Sequence, residues 1–309
     1  MRACYPACPK VAMGVVRLRR ICLFLAYLLT MTALSSSGTA LAALEVTDDA
    51  GNTVTLEAPA KRVVALAPHI VEMLYAVKAG ERLVGVLQGS DYPEAAKDVS
   101  RVGSYRGIAL EAIMAREPDL VVTWRSGTPR SVVERLDALD VPVYESEPRH
   151  LDDVADDLRD LGRLTGHSKA AERAADAFES RLAASRQTLK ETPRVFYQLG
   201  HDPLTTLGDG HIITQAIRHC GGKPLFAERS VLVPEIGREA LIEARPEVIL
   251  SAARNDDWQH DWQGQDWLPA VRDDHLYTLD PDPISRPGPR LVEGIEQICQ
   301  ALERASQSP

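Results

Sequence analysis

The sequence predicts an α/β fold of two similar lobes, and two observations carry that expectation. The first is alternation. Short apolar runs and helical patterns follow one another: "RVVALA" (62–67), the helical "HIVEMLYAVKAG", "RLVGV" (82–86), "DLVVTW" (119–124), the helical "PRSVVERLDALD" and "VPVY" (141–144). Strands separated by helices imply largely parallel sheets. The second is an internal echo. "LEAIMAREPDLVV" (110–122) aligns without gaps on "REALIEARPEVIL" (238–250), at an offset of 128. "RVVALAPH" (62–69) aligns on "RVFYQLGH" (194–201), at an offset of 132. Two matches at nearly one offset imply a duplicated unit, and they pair Glu111 with Glu239 and His69 with His201.

Residues 1–42 read as an export signal. Arg17, Arg19 and Arg20 form a basic start, "ICLFLAYLLTMTALSS" an apolar middle, and "ALA" at 40–42 a small-residue cleavage site. The apolar stretch falls short of the ~20 residues that a spanning helix needs. Met13 is an alternative start, because "MGVVRLRR" is already a complete basic region. Cys22 follows two arginines, which does not suit a lipid-attachment site. The first lobe is expected over residues 43–167. "SKAAERAADAFESRLAASRQTLKE" (168–191) then reads as one uninterrupted, rigid connecting helix, with Ser168 capping its start and Pro193 stopping it. Its length would be roughly 36 Å. The second lobe fills residues 192–309. Parallel sheets bind ligands beyond the carboxyl ends of their strands, so the lobes are expected to face each other across a ligand cleft.

Removal of residues 1–42 changes the charge. The 35 basic residues lose five (Arg2, Lys10, Arg17, Arg19 and Arg20), leaving 30 against 44 acids and a net charge of −14. That balance disfavours nucleic acid, whose binding rests on neutralising phosphates. Two cysteines remain, Cys220 and Cys299, in a compartment that permits disulfides. Cys220 shares a helical face with Ile212, Ile213, Ala216 and Ile217, and Cys299 shares one with Leu291, Val292, Ile295, Ile298 and Leu302. Packing these faces together would bring the thiols within bonding distance; two free, buried thiols are the alternative.

Several ordered motifs carry a family resemblance: "VGV…SDYP" (84–93), "LVVTWRSG" (120–127), "CGGKPLF" from Cys220, and "SRPGPRLVEGIEQICQAL" (285–302). From about residue 60 to 304 the chain resembles the periplasmic binding proteins of ABC importers for cobalamin, iron-siderophores and haem. Within that family it is most similar to the cobalamin-binding branch. The resemblance implies a monomeric periplasmic protein that captures cobalamin or a related corrinoid and hands it to an inner-membrane permease and ATPase complex. Haem or an iron-siderophore is the alternative cargo. The implied roles fall residue by residue. Cys220 and Cys299 match a disulfide pair. Glu111 and Glu239 match the two glutamates that dock on the permease subunits. Asp282 and Arg286 match an acid and an arginine at the ligand's polar periphery. Tyr105 stands where relatives carry a cleft tryptophan, and Tyr92 and Trp124 lie in the shared motifs. Gly89 replaces a pocket tyrosine, Thr205 stands near a phenylalanine position and Val233 near a tryptophan, so the cleft has fewer aromatic walls.

Read without the family, Glu111 and Glu239 each open a helix, where a carboxylate gains ~0.3–1 kcal/mol from the dipole. His69 and His201 each follow a strand at equivalent places, which suits hydrogen bonds to loop backbone or ligand, or facing ligation of one metal or haem iron. The remaining histidines lack paired spacing for a zinc site. The tryptophans of "DDWQHDWQGQDW" (256–267) suit a helix packed on the second lobe. No nucleophile–base pair, phosphate-cradling glycine run or convergent acid pair is present, so neither catalysis nor a resident cofactor is expected.

Overall fold

In the computed structural model, which describes Met1 and residues 43–307, the first lobe opens with an antiparallel hairpin of β1 (Leu44–Thr47) and β2 (Thr53–Leu56). The expected export signal lies outside the described residues. There follow β3 (Val63–Ala65), α1 (Pro68–Ala76), β4 (Leu83–Val86) and a small hairpin of β5 (Gly103–Ser104) and β6 (Gly107–Ile108). Then come α2 (Leu110–Met114), β7 (Leu120–Trp124), α3 (Arg130–Asp137) and β8 (Val143–Ser146). The main strands form a parallel sheet in the order β4-β3-β7-β8. Helices α4 (Asp153–Thr165) and α5 (Ser168–Ser185) lead to the second lobe.

The second lobe repeats the plan. β9 (Arg194–Gln198) precedes a hairpin of β10 (Gly200–His201) and β11 (Leu204–Thr205), then α6 (Ile212–His219) and β12 (Lys223–Pro224). α7 (Arg238–Ala244), β13 (Val248–Ala252), α8 (Pro269–Arg272), β14 (Leu276–Leu279), α9 (Pro281–Ile284) and α10 (Leu291–Gln307) complete it. Its sheet is again parallel, in the matching order β12-β9-β13-β14. Central strands such as Leu120–Val122 and Val248–Leu250 are uniformly apolar and buried, because helices cover both faces.

The duplication reaches individual atoms. Asp119 accepts the backbone N–H groups of Lys61 and Arg62 at 2.8 and 2.9 Å, and Glu247 accepts that of Arg194 at 2.8 Å. Arg62 Nε donates to the carbonyls of Arg116 and Glu117, and Arg194 Nε donates to that of Arg245. Glu117 and Arg245 both turn the chain with φ of 48°. Each lobe thus clamps the turn between its short helix and third strand to the start of its first strand.

Three expectations need correction. The connecting helix ends at Ser185, not 191, and spans 18 residues, about 27 Å. Residues beyond it leave the helix so that Leu189 packs beside Gly221, where an added Cβ would lie 3.2 Å from Leu189. Its N-cap is His167, without a side-chain cap, rather than Ser168; the preceding Gly166 closes α4 in the left-handed conformation. The tryptophan segment forms only a single 3-10 helix (Asp257–Trp262), with Trp262 buried on Gln198 and Trp267 exposed.

Helix α5 turns one apolar stripe (Ala171, Ala175, Phe178 and Leu182) into a core that runs from the first lobe into the second. Gly162 of α4 allows close contact, since a Cβ there would come within 2.1 Å of the Ala171 Cβ. Arg159 pairs with Glu172 and Glu179 on one side of α5, and Arg181 pairs with Glu296 of α10 on the other. In the second lobe Cys220, at the C-cap of α6, is disulfide-bonded to Cys299 of α10, with the Cα atoms 4.7 Å apart.

Candidate functional site

The strand order in each lobe changes direction beside its first strand, which is where crevices open beyond the carboxyl ends. One cavity of about 210 Å³ lies there between the lobes. From the first lobe it takes Trp124 and Ser126 at the end of β7, and Glu147 and Pro148 just past β8. From the second it takes Tyr197 and Leu199 at the end of β9, His211 and Ile213 at the start of α6, and Leu232, Ile284 and Pro287 from later turns. The lining is mostly apolar with few polar groups, as small-molecule sites usually are.

Trp124 is the aromatic wall of the first lobe. It is 37% exposed, and its ring meets that of His69 edge-on at 5.9 Å. Gly127 makes room for it, since a Cβ at that position would fall 2.0 Å from the indole. Glu147 is only 8% exposed, and its Oε2 accepts the Ser126 N–H at 2.8 Å. His211 occupies the N-cap of α6, where Nδ1 accepts the Ile213 N–H at 3.2 Å. Burial pushes its pKa down to about 4, so the ring is neutral at pH 7.

The remaining expected residues divide into three groups. Arg286 sits between Ser285 and Pro287 of the cavity wall, but its guanidinium turns to Glu72 of α1 (3.0 Å) and to Asp91 (2.9 Å). Asp282 lies 3.7 Å from Arg286 and also pairs with Arg254. The carbonyl of Gly89 is 3.5 Å from Arg286 Nη2, and the φ of +93° at Gly89 explains why glycine suits that loop. Tyr92 lies under Arg290, whose guanidinium is 3.8 Å from the ring centroid. These four, with Glu72, Asp91 and Arg290, form one polar seam between the lobes at the cavity's edge. Tyr105, in contrast, is 84% exposed at the tip of the β5–β6 hairpin, where its hydroxyl accepts from Arg106 Nε. It does not line the cavity.

The two histidines are not equivalent, which corrects the sequence reading. Pro68 at the first helical position starts α1 one residue before His69, so His69 lies inside the helix, 3% exposed beneath Trp124. Its pKa is held down at about 3 by burial and by the charge of Arg286. In the second lobe the inserted β10–β11 hairpin carries His201 outward to Asp261, 3.1 Å away, beside a different cavity. Among the described residues no cluster of three metal-ligating side chains occurs. Sequence reasoning missed Glu147 and His211. His211 did carry a signal, a polar residue immediately before an apolar helical run; Glu147 carried none.

Two parallel-sheet lobes of matching strand order with a cavity at the carboxyl ends of both define a two-lobed α/β ligand-capture protein. The model of the family described as "Periplasmic binding protein" matches residues 63–283. The chain belongs to that family. A vitamin B12-binding protein of Vibrio parahaemolyticus is 35% identical over 251 residues, covering 79% of this chain and 90% of the relative. One from Pectobacterium atrosepticum is 35% identical over 259 residues, covering 81% and 91%. Among solved structures, the periplasmic vitamin B12 binding protein of Vibrio cholerae superposes with a TM-score of 0.73 at 33% identity, covering 81% of this chain and 99% of that one. A periplasmic heme-binding protein from Roseiflexus sp. RS-1 in apo form gives 0.67 at 26% identity, covering 80% and 99%.

Proposed function

We propose that this protein captures cobalamin or a related corrinoid in the periplasm and delivers it to an inner-membrane ABC importer. The observation that carries the reading is the interlobe cavity: an apolar floor with Trp124 on one side and aliphatic side chains on the other, in a chain whose relatives include vitamin B12-binding proteins. A flat macrocycle gains affinity there from apolar contact on its faces and from a few polar contacts at its rim. Asp282, Arg286, Gly89 and Tyr92 supply the rim at the polar seam, and Trp124 supplies a face. No chemical step is needed, since capture and release suffice.

A haem cargo requires an axial ligand from the protein. Tyr105 sits outside the cavity with its hydroxyl on Arg106, and His69 is sealed beneath Trp124, which supports the corrinoid over haem. Delivery is assigned to Glu111 and Glu239. Each stands exposed in the first turn of a repeat-related short helix, α2 or α7, a placement that suits a partner of two-fold symmetry.

Titrating the protein without residues 1–42 with cyanocobalamin, dicyanocobinamide and haemin, followed by heat and absorbance, tests the reading. Saturable 1:1 binding of a corrinoid is expected. Tight binding of haemin with a shifted Soret band, and none of corrinoids, would replace it with the haem reading.

A further inference from the structure

Glu147 and His211 are polar side chains that enter the cavity from opposite lobes with hydrogen-bonding capacity left over, in a wall that also holds the hydroxyls of Ser126, Tyr197 and Ser285. Each is fixed by a backbone contact. Glu147 Oε2 holds the Ser126 N–H, and its backbone N–H is itself held by Asp49, so the carboxylate is oriented from both ends. His211 Nδ1 holds the Ile213 N–H. An acceptor nitrogen carries no proton, so in the neutral ring the proton sits on Nε2. Nε2 has no partner among the described residues, and the ring lines the cavity.

The cavity therefore offers a carboxylate acceptor from one lobe and an N–H donor from the other. A primary amide is the group that satisfies both kinds, donating through NH2 and accepting through its carbonyl. A carboxylate meets neither requirement as well, because it offers no donor and is repelled by Glu147. We propose that Glu147 and His211 are specificity-determining residues that read neutral primary amides on the ligand's rim and turn away macrocycles fringed with carboxylates. This rests on the corrinoid reading, since a corrin ring carries amide side chains whereas haem carries two propionates.

The same geometry excludes His211 from the ligand's metal. Ligation through Nε2 would move its proton to Nδ1, where it would face the Ile213 N–H and break the helix cap. The neutral imidazole that burial enforces is thus a donor and not a ligand. Tyr197, the cavity's phenol, is likewise held protonated by burial. The site takes a metal whose axial positions the ligand fills itself.

Calorimetric titrations of the protein without residues 1–42 decide the matter. The probes are cyanocobalamin, its monocarboxylic acids made by hydrolysing single rim amides, and dicyanocobinamide. Wild type is expected to prefer the amide form by about tenfold for the amide that meets the pair. Glu147→Gln keeps an acceptor for the Ser126 N–H and should narrow that preference to near unity. His211→Asn keeps an acceptor at the cap, so its melting temperature should stay within about 2 °C of wild type while cyanocobalamin binds about tenfold more weakly. Unchanged cyanocobalamin affinity in His211→Asn, or undiminished discrimination in Glu147→Gln, would overturn the assignment while leaving corrinoid capture intact. A cobalt absorbance shift on binding cobinamide that disappears in His211→Asn would overturn it in favour of ligation. Wild-type protein that binds no corrinoid would remove both this inference and the reading beneath it.

Discussion

Arg286 and Glu72, 214 residues apart in sequence, meet across the lobe boundary at 3.0 Å. Arg290 reaches the same carboxylate, donating from Nε at 2.8 Å and from Nη2 at 2.7 Å, so two guanidinium groups of the second lobe converge on one acid of the first. Glu72 is 3% exposed. A carboxylate taken from water to that depth is tolerated because its hydrogen-bond sites are filled by charged donors. Beside it Gly288 brings the second lobe's backbone close to the first, since a Cβ there would lie 3.3 Å from the His69 carbonyl. The seam and the shared core join the lobes beside the cavity.

Removing the carboxylate's charge should expose the importance of that junction. Glu72→Gln preserves volume but leaves Arg286 and Arg290 facing a neutral amide in a largely dehydrated position. Breaking one member of a buried ion pair costs on the order of 3–5 kcal/mol. Urea unfolding should register a loss within that range. A loss below about 1 kcal/mol would mean that water or Asp91 compensates and that the seam contributes little to stability.

The disulfide gives a second prediction. Cys220 and Cys299 are separated by 79 residues, a loop whose closure in the unfolded chain contributes roughly 4 kcal/mol in the chain-entropy account. The pair Cys220→Ala and Cys299→Ala should therefore lower the unfolding free energy by up to that amount. A free-thiol assay on the exported wild-type protein in denaturant should find none. Two titratable thiols would show that the bridge does not form in the cell.

His69 makes a prediction about pH. Its folded pKa of about 3 lies far below the value near 6.5 of an unfolded histidine, through burial first and then the charge of Arg286. Above pH 6.5 the ring is neutral in both states and the full stability is present. As pH falls below that, the unfolded chain takes up a proton that the folded chain refuses. Stability from this residue is then lost at about 1.4 kcal/mol per pH unit. His69→Phe keeps a ring against Trp124 and removes the proton site, so its stability should fall less steeply between pH 6.5 and 4. Asp157, which accepts from Ser146 and Tyr144 nearby and is pushed up by burial, works in the opposite direction but is common to both proteins. Identical slopes for the two proteins would contradict a buried neutral His69.

Much of this architecture was legible because it is local. Apolar runs such as Leu120–Trp124 fix strands, and the offset echo at Glu111 and Glu239 reveals the duplication down to the matching turns at Glu117 and Arg245. Illegible features depend on residues distant in sequence. The end of the connecting helix at Ser185 is set by where Leu189 must pack, not by helix propensity, which continues through residues 186–191. The partner of Arg286 is Glu72, and no spacing rule links positions so far apart. The offset echo pairs His69 with His201, but the inserted β10–β11 hairpin carries His201 out to Asp261 while Pro68 starts α1 and buries His69, a divergence that no local pattern marks.

The last prediction separates delivery from capture. Glu111 is exposed in the first turn of α2, with Arg135 3.8 Å away, and Glu239 is exposed in the first turn of α7. Exposed carboxylates of this kind contribute little to folding, so reversing them leaves the lobes intact. Neither residue lines the cavity between the lobes. Glu111→Lys with Glu239→Lys should therefore keep the cyanocobalamin affinity of wild type within about twofold while abolishing stimulation of ATP hydrolysis by the importer reconstituted in vesicles. Each single reversal should give an intermediate loss, the outcome expected of a partner whose two halves engage one lobe each. A double variant that stimulates the importer normally would show that docking uses another surface. One that loses ligand affinity would show that these helices communicate with the cavity after all.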